Sequence, residues 1–178
     1  MPDRRTQLAD AALAVVAAQG LKGLTHRAVD AQAGVAVGTT SNYFRNRAAL
    51  VAAAVDRVEE LDTLLLQEGR MELPTSVASL AEQIAGAVMG LAKENAGLTR
   101  ARFVFALDQP AVVAAGHERL VSALAQLLES MGVPESRARA EAVSDYCDGL
   151  VLHLLTARQG QDFDKAAVAR SIQRLLEG

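Results

Sequence analysis

Cysteine occurs once in the 178 residues, at Cys147, so the chain can form no internal disulfide and no thiolate metal cluster. Tryptophan is absent, and four Phe and two Tyr are the only aromatic residues. Half the chain is nevertheless hydrophobic. That half is aliphatic and Ala-rich, which suits helices better than strands because Ala and Leu lose little freedom on entering a helix. Four prolines are too few to break long helices often, and the glycines fall mostly between periodic runs. The composition predicts an all-α protein.

Other absences narrow the function. No apolar run approaches the roughly 20 residues of a membrane span, and the polar start from Met1 to Asp10 is no export signal. The expectation is a soluble, cytoplasmic protein without a membrane partner. His26, His117 and His153 lack metal-ligand spacing. There is no Gly-rich phosphate loop, nucleophile elbow or paired-carboxylate helix motif, and Gly38-Thr39-Thr40 lacks the lysine of a P-loop. No enzyme, metal or cofactor is expected.

Charge is unevenly spread. The first fifty residues carry six Lys/Arg against three Asp/Glu, whereas the rest carries twelve against eighteen. A small nucleic-acid reader joined to a larger acidic body has this asymmetry, although a difference of this size also arises by chance.

The periodicity predicts nine helices. Leu8, Ala11, Ala12, Val15 and Ala18 share one face of a helix over Asp3–Gln19, which Gly20 stops. Thr25 caps a short helix over His26–Ala33, ended by Gly34, and Gly38–Phe44 forms another. Two short helices about a tight Gly-containing turn are a helix-turn-helix signature. Asn46 caps a long helix over 47–67, with Leu50, Val51, Ala54, Val55, Val58, Leu61 and Leu65 as its buried stripe. After a loop at 69–74, helices are expected at 75–95, 99–108, 111–131 and 135–158, and Asp162 is expected to cap the last. The predicted division is a three-helix DNA-binding domain over 1–47 and a helical bundle over 48–178.

Within Leu24–Leu50, the residues Ala33-Gly34-Val35, Gly38-Thr39, Tyr43-Phe44, Asn46-Arg47 and Leu50 stand in register with one known pattern. The segment resembles the DNA-binding segment of the TetR family of bacterial transcriptional regulators. Ala36 stands where that family often has Ser, which removes a cap worth about 1 kcal/mol. Val37 replaces a frequent Lys, and Thr40 and Ser41 replace commoner Leu and Tyr.

The chemistry of the segment fits such a role. A helix entering the major groove must present small or polar side chains at its N-terminal end. Val37, Gly38, Thr39, Thr40 and Asn42 form the expected reading face, with Asn42 able to pair bidentately with adenine. Thr25, Tyr43 and Arg47 suit phosphate oxygens, and His26 and Arg27 follow the Thr25 cap closely enough to add to them. Each has a plainer reading as a cap, a solvated polar residue or an ordinary surface arginine.

The resemblance implies a homodimer, because a palindromic operator needs two reading helices about 34–36 Å apart or a multiple of that. It places the interface on the last two helices, where Val143, Cys147, Leu150, Val151, Leu154, Val168, Ile172 and Leu175 form the apolar stripes. It also implies a small-molecule effector that moves the long helix from Arg47 and releases double-stranded operator DNA. Arg102, Phe103, Phe105, Tyr146 and His153 are the candidate pocket residues, being the larger polar or aromatic groups in otherwise aliphatic helices. For His153 a buried, hydrogen-bonded structural role is the stronger reading, and Cys147 reads as a small buried hydrophobe. A repressor is the expected function, with an activator left open. The rival reading is a helical protein-interaction module that does not bind DNA.

Overall fold

The computed structural model describes residues 3–68 and 73–178, the side chains at 59, 62–68 and 112 excepted. All regular structure among the described residues is helical: α1 (Arg4–Gly23), α2 (His26–Ala33), α3 (Thr39–Tyr43), α4 (Arg47–Glu68), α5 (Val77–Met89), α6 (Ala96–Asp108), α7 (Pro110–Ser130), α8 (Ser136–Leu155) and α9 (Lys165–Glu177). One π-helical turn, Gly90–Glu94, follows α5 directly. It is closed by the Asn95 N–H donating to the Gly90 carbonyl at 2.8 Å.

Most expected boundaries hold, for reasons local to the sequence. Thr25 caps α2 by accepting from the Ala28 N–H, and Asn46 caps α4 by accepting from that of Ala49. Pro110 occupies the first position of α7, where its missing N–H costs nothing. Gly20 breaks α1 as expected, with φ of 67°, yet a further helical turn follows it to Gly23. The cap of α9 is Asp164 and not Asp162: the Asp164 carboxylate accepts from the Ala167 N–H at 2.9 Å. The expected loop at 69–74 lies outside the described residues as far as 72, and Leu65 lies outside the described side chains.

The chain folds as two compact units, Met1–Arg70 with Gly97–Val113 and Met71–Ala96 with Ala114–Gly178. They cut the chain differently from a single boundary after residue 47, because α4 and most of α6 share a core with the first three helices. In that first unit α1 packs on α2 and α4, and α2 on α3. Leu8, Ala12, Val15, Val16, Leu24, Val29, Phe44, Leu50 and Ala54 form its centre, joined by Ala101 and Phe105 from α6. Asp10 and Arg57 tie α1 to α4 across this core through a 2.7 Å ion pair.

In the second unit α5 packs along α9, and α8 packs on both α9 and the π turn. Small residues at Ala81, Ala85 and Gly86 let α5 approach closely, and the Lys165 side chain lies against Gly86. Val143, Leu150, Val151, Leu154, Val168 and Ile172 are all buried by the chain itself, while Cys147 and Leu175 are half-buried. Helical periodicity identifies a buried face but not which molecule buries it. The Cys147 thiol, desolvated by this packing and beside Asp148, has its pKa pushed up to about 12. It is a weakly reactive, space-filling residue.

Ile172 has no exposed surface. Ile172→Ala is expected to lower the unfolding free energy by about 3 kcal/mol in a urea titration. Ile172→Glu is expected to prevent folding of the second unit. A folded, monomeric Ile172→Glu protein would instead place that residue against a partner.

Candidate nucleic-acid interface

The turn between α2 and α3 is built around one acidic side chain, Asp30, which is only 2% exposed. Its backbone carbonyl accepts from the Val35 N–H at 3.0 Å, while the Gly34 N–H donates to Ala31. This is a Schellman closure of α2, with Gly34 at φ of 65°, a conformation that costs a Cβ-bearing residue dearly. The Asp30 carboxylate then opens the next helix. One oxygen accepts from the Gly38 N–H at 2.7 Å; the other accepts from the Thr40 N–H at 2.7 Å and the Thr40 hydroxyl at 2.6 Å. Gly38, at φ of 93°, has no side chain to cap α3, so Asp30 supplies the cap from the preceding helix.

Burial works against ionisation of Asp30. The Thr40 hydroxyl, the N–H groups of Thr40 and Gly38, and the field of His26 outweigh it and hold the carboxyl below its ordinary pKa. Further ties fix the far end of α3. The His26 Nε2–H donates to the Phe44 carbonyl at 2.7 Å, so the proton sits on that nitrogen. Phe44 is 1% exposed and carries the Arg5 guanidinium 4.9 Å above its ring. Gln7 reaches from α1 to the Ala33 carbonyl, and the Arg47 guanidinium donates to the Leu21 carbonyl at 2.6 Å.

These contacts sort the candidate residues. Val37, Asn42 and Tyr43 are exposed, as are Thr25, Arg27 and Arg47, while Gly38 and Thr39 are half-buried. They lie on or next to the helix-turn-helix of α2 and α3, with Arg47 at the start of α4. Thr40 differs: it is fully buried against Asp30 and can contact no base. His26 holds α3 to α2 through its ring, and Arg47 has at least one of its donors engaged by α1. Asp30 itself was not among the sequence candidates, and exposed Arg45, next to Phe44, adds positive charge just after α3.

Arg102, Phe103 and Phe105 belong to the first unit, where Phe105 is 1% exposed core; Tyr146 and His153 lie on α8 of the second. His153 is exposed, which overturns the expectation of a buried structural histidine. It occupies the last turn of α8, where its face has turned outward. A shallow depression of about 530 Å³ lies elsewhere, between α7 and α8, lined by Ser122, Gln126, Glu129, Val133, Glu135 and Arg137 among others. Beside it Arg137 pairs with Glu118 of α7 and with Glu141 one turn along its own helix, and the pairing with Arg137, helped by the Ser122 hydroxyl, pulls the Glu118 carboxyl down to about 2. No group of three or more His, Cys, Asp or Glu able to hold a metal occurs among the described residues, and no described helix is long and apolar enough to cross a membrane.

Comparison with known proteins agrees with this geometry. Residues 8–54 match the family model described as bacterial regulatory proteins, tetR family. Residues 75–178 match the model of the tetracyclin repressor-like C-terminal domain. A transcriptional regulator from Rhodococcus sp. Rha1 is similar in fold, with a TM-score of 0.78 and 21% identity over 98% of this chain and 94% of that one. A TetR-family member from Streptomyces coelicolor A3 gives 0.71 and 25% identity over 98% and 99%. The multidrug binding protein EbrR, complexed with malachite green, gives 0.71 and 26% identity over 98% and 99%. No curated protein matches the chain.

Asp30→Ala leaves the Thr40 hydroxyl and two N–H groups without their acceptor and is expected to cost about 3 kcal/mol of stability. The carboxyl pKa is depressed on folding, so its contribution is complete above the unfolded value near 3.8 and is lost as pH falls through the lower folded value. The stability gap between wild type and Asp30→Asn is therefore expected to be constant near neutrality and to shrink below about pH 4. A gap that stays the same throughout acid titration would show that the carboxylate is not ionised in the fold.

Proposed function

Because the chain belongs to the tetR family of bacterial regulatory proteins, we propose that it is a transcriptional repressor that binds a palindromic operator as a homodimer and releases it when a small molecule binds. The observation that carries the DNA reading is the exposed set Asn42 and Tyr43 on α3 and Val37 in the turn that leads into it, a turn and helix held by Asp30. In the groove, Asn42 pairs with a base edge through its amide. Tyr43, Thr25 and Arg27 contact phosphates and set the register of the protein on the duplex. Arg47, partly engaged by Leu21, contributes through its remaining donors.

Two-fold symmetry follows from the size of the reading element. One five-residue helix touches too few base pairs to define a site, and a second copy doubles them. The effector part of the reading draws on EbrR, a multidrug binding protein with which the chain shares 26% identity over nearly its whole length. An effector acts through its differential affinity for the DNA-competent and DNA-incompetent arrangements of the dimer.

Selection from a random duplex pool is the decisive experiment, and an inverted repeat is the expected result. Half-site centres should lie about 10 base pairs apart or a multiple of that. Affinity for any duplex should fall steeply with salt. Arg27→Ala is expected to lower the salt slope by about one and to weaken all sequences alike. Asn42→Ala is expected to relax preference at one position of each half-site, by about 1–3 kcal/mol. Failure to bind random duplex at low salt would remove the DNA reading. Retention of the full preference order by Asn42→Ala would remove the role given to Asn42.

A further inference from the structure

Val37 is 83% exposed. A single exposed aliphatic residue is ordinary on a protein surface, but the surroundings of Val37 are not. Residues 36–44 contain no charged side chain. The hydroxyl groups of its threonines and serine are engaged as donors: Thr39 to the Ala36 carbonyl at 2.6 Å, Thr40 to Asp30 at 2.6 Å and Ser41 to the Gly38 carbonyl at 2.8 Å. A hydroxyl has one proton, so these oxygens keep only acceptor capacity towards a ligand. Beyond those acceptor oxygens the face offers the amide of Asn42, the phenol of Tyr43 and apolar surface, of which Val37, the large hydrophobic residue of the stretch, is 83% exposed.

The chemistry of the major groove then selects a base. Guanine presents two acceptors and is usually read by Arg or Lys; a valine offers it nothing. Thymine alone among the four bases presents a methyl group. Val37 is β-branched and stiff about its first torsion, so little rotamer freedom is lost on contact. On the premise that this helix-turn-helix enters DNA as proposed above, we infer that Val37 reads the 5-methyl group of a thymine, making it a specificity-determining residue. The fold leaves most of its side chain with nothing else to pack against.

Uracil scanning tests this directly, using the full-length protein and an operator obtained by selection. Replacing one thymine at a time by deoxyuridine removes only the methyl group and keeps the base pair. Wild-type protein is expected to lose roughly three- to tenfold in affinity at one symmetry-related pair of positions, the size of one buried methyl contact. Val37→Ala, at an exposed position that leaves the fold intact, is expected to bind the unmodified operator correspondingly more weakly. It should then show less than about a twofold effect of uracil at that same pair. A flat scan in the wild type, or full uracil sensitivity retained by Val37→Ala, overturns the assignment while leaving DNA binding in place. Failure to select any sequence overturns the DNA reading and this inference with it.

Discussion

The buried Asp30 carboxylate is the interaction on which the reading surface depends. An isolated helix of five residues has no stability in water, since nucleation costs more than one turn of hydrogen bonds returns. Helix α3 exists because its first N–H groups meet a charged acceptor in a site shielded from water, where such bonds are at their strongest. The same residue closes α2 through its carbonyl. One side chain and its own backbone thus set the geometry on both sides of the turn, and everything that faces outward from α3 is aimed by them.

This arrangement explains an oddity of the sequence. Where Leu is common in the resembling segments, this chain has Thr40, and a polar group buried at an apolar position needs a partner. Asp30 is that partner. A well-packed apolar pair of similar volume could match it in stability, so the polar pair is better understood as fixing one orientation of α3. A leucine can slide against a neighbouring alanine; a carboxylate bonded to two N–H groups and a hydroxyl cannot do so without losing them.

Much of the fold was readable because its signals are local. Thr25, Gly34, Asn46 and Pro110 each mark a boundary through their own backbone chemistry, and the structure uses them in those roles. What could not be read depends on contacts distant in sequence. The apolar stripes of α8 and α9 were visible as stripes, yet their burial within the chain follows from α5 lying along α9, which periodicity does not encode. Asp162 and Asp164 are equally good caps by residue type, and only the path of the chain decides between them. Thr40 looked like a base reader because a small polar residue near the start of a groove-entering helix suits that role. Its replacement of an apolar residue was the signal that it faced inward, and an acidic residue ten positions earlier was available to meet it.

The ties within the first unit also bear on how binding could be regulated under the proposed reading. Helix α3 is held to α2 by Asp30 and His26, α2 to α1 by Gln7, and α1 to α4 by Arg47 at one end and Arg57 with Asp10 along its length. Reshaping α3 would mean breaking several of these at once, including a charged group with 2% exposure. Moving α4 breaks none of them if α1, α2 and α3 travel with it. A signal that weakens DNA binding therefore acts at least free-energy cost by displacing this unit as a body. For a two-fold protein on a two-fold site, a change in spacing between two intact reading helices is enough to lose half of the contacts.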